Sequence, residues 1–193
     1  YEQAELGERQ EEALAYLRAA FGRTQGGFDG RFYQLGDEPI SPGPTGALPI
    51  VIGGSGEKRT PRLAGTYGDE YNPVFIAVSE VPPRVERCRA AAARAGRDPG
   101  DVRISMMGGA VVGETEASYR RNLERVAAAH PFGRSPEQVE EGLRKQGLPI
   151  GVADEALEGV AGMAEAGIER FYLQSLGPYD DDLLEETFSV LMG

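Results

Sequence analysis

The sequence predicts a parallel α/β fold, and three observations carry that reading. Ile50, Val51 and Ile52 form a continuous β-branched apolar run, the pattern of a strand buried on both faces of a sheet covered by helices. Similar runs alternate with stretches of about 10 to 17 residues at helical apolar spacing, as βα units do. The strands end in small or polar residues, Gly53, Asn72, Gly113 and Ser175, at the edge where α/β proteins place ligands. The order is one helix and then four repeats of strand and helix. All 193 residues, 1–193, read as a single domain, long enough for a core of its own.

Residues 3–21 place Leu6, Ala13, Leu14, Leu17, Ala20 and Phe21 on one face of an amphipathic helix, and Gly22 is its stop. Residues 26–46 are rich in glycine and proline, which makes them a long loop with one hairpin around Asp29 and Gly30. Then come the strand 50–52, a glycine turn, and a helix from about Lys58 to Tyr67 with Pro61 in its first turn. Asp69 to Val78 is the second strand. Ser79 caps a helix that reaches Ala95, with Pro82 and Pro83 in its first turn. After a turn at 98–101, Val102 to Val112 is the third strand, and Gly108 and Gly109 interrupt it as a bulge or a close approach would.

Glu114 to His130 is a helix with Tyr119, Leu123, Val126 and Ala127 inward. Ser135 caps the next, through Gln146, with Pro136 at its first position. Ala153 to Ala166 is a further helix closed by Gly167. Ile168 to Leu176 is the fourth strand, and Asp180 to Leu191 the last helix, with three aspartates where the dipole favours them.

Composition narrows the function. With 20 Lys and Arg against 31 Asp and Glu, the formal charge of -11 argues against a nucleic-acid or anionic-membrane surface. No apolar run reaches the roughly 20 residues of a membrane span, and YEQAELGERQEEA lacks the features of a signal peptide, so a soluble cytoplasmic protein is expected. The chain starts at Tyr1 without methionine, which points to processing, proteolysis or a cloned fragment. Cys88 is the one cysteine, so no intrachain disulfide or thiol-rich metal site is expected. It lies among arginines with no histidine near it, the setting of a buried inert thiol rather than a nucleophile. His130, the single histidine, reads as a helix-end residue rather than a catalytic one.

The chemistry concentrates at the turn after the first strand. Gly53, Gly54, Ser55 and Gly56 let backbone N–H groups approach a ligand, and Lys58, Arg59 and Thr60 open the helix that follows. Free N–H groups, two cations and two hydroxyls suit a phosphate; the competing reading is a helix entry that needed glycine, with both cations solvated. Gly56 is followed by Glu57, so this is neither a Walker A loop nor GxGxxG.

At IGGSGEKRTPRLAGTYGDEYN the sequence resembles the luciferase-like monooxygenase family of (β/α)8 barrels, which depend on flavin or deazaflavin. AGIERFYLQSLGPYDDDLLE is similar to the last strand and helix of the branch using coenzyme F420, and VRISMMGGAVVGETEASYRR matches the family's long strand and acidic helix start. The resemblance implies that the strand before the Gly-Gly turn is the fifth of eight. The chain would then hold strands 5–8 of a TIM barrel, an incomplete barrel, with the helix before them. It also implies that Gly53, Gly54, Ser55, Gly56, Lys58, Arg59 and Thr60 hold a cofactor phosphate, while the ring rests largely on the first half of the barrel.

Such a half-barrel has two open strand edges and an inner face whose apolar residues would be wetted. Association with a missing N-terminal half, a homodimer, or a repacked four-stranded sheet is the expected remedy. The implied function is F420-dependent hydride transfer to or from a small organic substrate. The alternatives are an FMN-dependent monooxygenase and, from another class, a non-catalytic anion-binding or assembly module. Glu57, Glu70 and His130 are the nearest candidates for an acid or base.

Overall fold

The computed structural model of the chain describes residues 3–21, 27–38, 40–174 and 181–192. It opens with α1 (Gln3–Ala20) and a hairpin of β1 (Phe28–Asp29) and β2 (Gln34–Leu35). It continues through β3 (Val51–Gly53), α2 (Arg59–Tyr67), β4 (Glu70–Asn72), α3 (Pro82–Arg94), β5 (Arg103–Gly108), β6 (Val111–Gly113) and α4 (Glu116–Ala129). It closes with α5 (Pro136–Gln146), β7 (Ile150–Val152), α6 (Ala153–Glu165), β8 (Arg170–Leu173) and α7 (Asp181–Met192). The expected order of alternating strands and helices is present. A four-stranded sheet in the order β3-β4-β5-β8 is parallel throughout, and β6 and β7 form a separate parallel pair.

One face of the sheet carries Ile52, Tyr71, Ile104 and Met106, all buried against helix residues such as Leu63, Ala64, Val81, Cys88 and Val126. Cys88 is fully enclosed, and burial pushes its thiol up to about 11, the state of an inert packing residue. Helices α2 and α3 pack closely at the buried Gly65, where a Cβ would lie 2.9 Å from the Ala91 Cβ and from the Ala92 nitrogen. Helix α1 is tied to the unit by polar contacts: Arg62 donates to both Glu11 oxygens at 2.7 and 2.6 Å, and Arg18 pairs with Asp69 at 3.2 Å. Its Glu12 carboxylate also accepts the N–H groups of Phe32 and Tyr33, which fixes the hairpin turn expected near Gly30.

Several expectations need correction. The strand at residues 50–52 is not buried on both faces: Ile50 and Ile52 are buried, but Val51, on the opposite face, is 52% exposed. Leu6 is likewise 51% exposed, although it shares the apolar spacing of the first helix. The second strand ends at Asn72, not Val78, since Pro73 cannot donate to the ladder. Phe75 then takes φ 57 and a 3₁₀ turn spans Val78–Glu80. There the Glu80 carboxylate, not Ser79, does the capping by accepting the Ala77 N–H at 3.1 Å.

The third strand breaks at Gly109 and Ala110, as the glycines suggested, and its halves take different partners: β5 pairs with β8, β6 with β7. Strand β7 was not anticipated. Ser135 caps α5 as expected, bonding reciprocally with Gln138, and α4 starts with the same reciprocal arrangement between Thr115 and Ser118. Gly22, Ser175, Leu176 and Asp180 lie outside the described residues. Among the described residues, no helix is long and apolar enough to cross a membrane.

Candidate functional site

All four strands of the main sheet run in one direction, so their C-terminal ends share an edge. The glycine turn lies there. Gly54 donates to the Asn72 carbonyl at 3.2 Å and takes φ 150, a conformation that favours glycine. The turn folds over Thr60: a Cβ on Gly56 would stand 2.6 Å from the Thr60 hydroxyl oxygen, and one on Gly54 would stand 3.3 Å from it. Thr60 is therefore half-buried packing inside the turn, while Ser55, Gly56 and Lys58 are exposed.

Lys58 holds the N-cap position of α2 and makes no side-chain cap, so the first N–H groups of the helix have no acceptor from the N-cap side chain. The Glu57 carboxylate is paired with Arg87 at 3.2 Å, which offsets its charge beside the turn. Arg59 does not join the cluster. Its guanidinium donates to the Gly7 carbonyl of α1 and so helps to seat that helix. The residues brought together at the edge are thus Gly53, Gly54, Ser55, Gly56, Lys58 and Thr60.

The face of the sheet that carries Val51 is more polar than the sequence suggested. Glu70, 4% exposed, accepts the Tyr172 hydroxyl at 2.8 Å and an Arg170 N–H at 3.0 Å. Asn72 donates to Ser105 at 2.7 Å beside them. The bond to Tyr172, and behind it the Glu70 charge, raise Arg170 further above the ordinary guanidinium range. Val51, Met107 and Tyr172 are exposed large apolar side chains here, so the wetted apolar lining expected of an opened barrel is only partly present. A carboxylate is tolerated at this depth because two donors satisfy it. That pairing joins residues 100 and 102 positions apart and has no local signal.

A cavity of about 310 Å³ opens at the same edge, lined by residues after β4, β5 and β8 and by α5. His130 belongs to it, beyond the helix-end role read from its position. The Phe132 N–H donates to its Nδ1 at 3.2 Å. Among the sequence candidates for an acid or base, Glu70 is buried in its bonds to Tyr172 and Arg170, and Glu57 is in an ion pair.

The luciferase-like monooxygenase family model matches residues 2–176 of this sequence. The chain belongs to that family. Solved structures with the same fold include an F420-dependent secondary alcohol dehydrogenase in complex with an F420–acetone adduct, with a TM-score of 0.73 at 19% identity. That match covers 99% of this chain and 63% of the other. EDTA monooxygenase from Chelativorans sp. BNC1 matches with a TM-score of 0.69 at 16% identity, over 99% of this chain and 59% of that one. The oxygenating constituent of 3,6-diketocamphane monooxygenase from Pseudomonas putida, in complex with FMN, matches with a TM-score of 0.64 at 17% identity, over 96% and 60%. This luciferase-like chain thus spans about three fifths of the length of each. Comparison with curated protein sequences returns no match.

Proposed function

We propose that the chain is the coenzyme-phosphate-binding half of a luciferase-like oxidoreductase that uses F420 to transfer hydride to or from a small organic substrate. The observation that carries this is the turn at Gly53–Gly56 leading into the uncapped start of α2, with Lys58 exposed beside it. The residues fit a phosphate. Glycine at position 56 leaves room for the Thr60 hydroxyl, the N-cap side chain does not cap the helix start, and the Glu57 carboxylate is paired with Arg87. Ser55, Gly56, Lys58 and the first N–H groups of α2 would hold the phosphate, with Gly53 and Gly54 shaping the approach.

The bound deazaflavin supplies the hydride chemistry. What this chain contributes is binding and orientation at the C-terminal edge of a sheet that corresponds to strands five to eight of a TIM barrel. The likeness to a dehydrogenase holding an F420 adduct supports F420 over FMN. The likeness to an FMN-bound monooxygenase keeps the FMN-dependent reading as the alternative.

Titration with F420 and with FMN, followed by coenzyme fluorescence, tests the reading. Saturable F420 binding that Lys58→Gln weakens roughly tenfold supports it. Preference for FMN moves the assignment to the monooxygenase. If neither coenzyme binds, the enzyme reading fails, and amide shifts at Ser55 and Gly56 with inorganic phosphate would then mark an anion-binding module.

The same reading extends to assembly. Strands β3 and β8 are edges of the sheet, and Val51, Met107 and Tyr172 stand exposed on one of its faces. A second copy, forming a twofold homodimer, or a family-type N-terminal half would cover them.

A further inference from the structure

The cavity beside α5 combines features that the phosphate site does not use. Its floor is apolar and continuous with the core, through Met106, Val139, Leu143 and Leu148. Two phenyl groups stand at its rim almost entirely in water, Phe75 at 86% and Phe132 at 83% exposure. Phe75 is also held at φ 57, a region that bulky residues avoid and that is retained where the surrounding fold demands it, often at ligand sites.

The polar side chains of its lining are two amides, Gln146 and Gln174, and two nitrogen donors, Arg134 and His130. Arg134 lines the cavity and has no carboxylate or carbonyl partner among the described residues, although this chain carries an excess of acids. His130 accepts the Phe132 N–H at Nδ1, so the neutral ring carries its proton at Nε2 and presents a donor. Lys145 and Glu141 border a groove that shares Phe132 and Arg134 with this rim.

We propose that this cavity binds a flat apolar molecule bearing a carboxylate, an aryl carboxylate being the simplest case. Its ring packs between Phe75 and Phe132 over the apolar floor, and its carboxylate meets Arg134 and the Nε2–H of His130. The volume suits a ligand of one or two fused rings. Calling that ligand the substrate rests on the oxidoreductase reading above, because the cavity opens at the same sheet edge as the glycine turn. Its binding does not depend on the coenzyme.

The test uses naphthoate and its uncharged amide, titrated into the coenzyme-free chain and read by naphthalene fluorescence. Naphthoate should bind saturably and roughly tenfold more tightly than the amide. Arg134→Gln should abolish that preference, Arg134→Lys should keep most of it, and Phe132→Ala should weaken both ligands. Arg134 and Phe132 are exposed, so these variants should keep the wild-type circular dichroism. Lys58→Gln should leave naphthoate binding unchanged while weakening the coenzyme, which separates failure of this site from failure of the phosphate site. Absence of saturable naphthoate binding, a preference that survives Arg134→Gln, or a loss caused by Lys58→Gln would overturn the proposal.

Discussion

Gly65→Ala tests the packing behind the proposed phosphate site, because α2 carries the glycine turn at its start and meets α3 through this glycine. The new Cβ would stand 2.9 Å from both the Ala91 Cβ and the Ala92 nitrogen, with the Cys88 carbonyl oxygen closer still. Two of these three atoms are backbone, so no side-chain rotation relieves the contact and the helices must separate. Overpacking of this kind costs about 3 kcal/mol at the upper end of its usual range. Alanine in place of glycine returns about 1 kcal/mol of helix propensity. The expected net loss is about 2 kcal/mol. For a domain of this size that is a fall in melting temperature of roughly 4 to 8 °C.

The internal control is Gly162→Ala in α6, where nothing lies within 4 Å of the added carbon. There propensity acts alone, and a gain of about 0.5 to 1 kcal/mol is expected. Urea denaturation followed by far-ultraviolet circular dichroism measures both variants against the wild type. If Gly65→Ala proves as stable as the parent while Gly162→Ala is stabilised, the close helix crossing is not a constraint. The rigid placement of the turn would then have to be explained otherwise.

The Glu11–Arg62 pair should make the docking of α1 sensitive to acid. The hydrogen bond from Arg62 holds Glu11 below the usual carboxylate range, against the burial that would raise it. Its contribution is therefore complete above the unfolded value near 4.5 and is lost as pH falls through the folded value. Both side chains are more than a third exposed, so it is worth no more than about 1 kcal/mol. Denaturation midpoints at pH 7 and pH 3 should fall further for the wild type than for Glu11→Gln, and equal falls would remove the pair from the account. For the proposed association, the melting temperature should rise with protein concentration, and light scattering should give a mass near twice 20.7 kDa. A monomer mass with a melting temperature indifferent to dilution would refute it.

Much of the fold was legible because it rests on interactions a few residues long. Helices α4 and α5 were readable from apolar spacing and from Ser135 with Pro136, whose capping geometry is local. The glycine turn was readable because only glycine tolerates the φ at Gly54. Family membership was readable from the stretch around that turn. Strand β7 was not, since three residues around Gly151 carry too little pattern, and their pairing with β6 lies about 40 positions away.

Tertiary structure decided what each residue faces. Ile50, Val51 and Ile52 are equally apolar, yet Ile50 and Ile52 are buried on one face of the sheet while Val51 stands in water on the other. Arg59 sits beside the turn in sequence, yet it bonds a carbonyl 52 residues away because α1 packs against the start of α2. Glu70, Arg170 and Tyr172 become one polar group, and Phe75, Phe132 and Arg134 border one cavity, through strand order and helix placement. The sequence by itself determined the helices, the turn and the family, all carried by near neighbours along the chain. Which faces are open, which charges are paired and where a ligand can enter depend on contacts between distant segments, and those exist only once the sheet has formed.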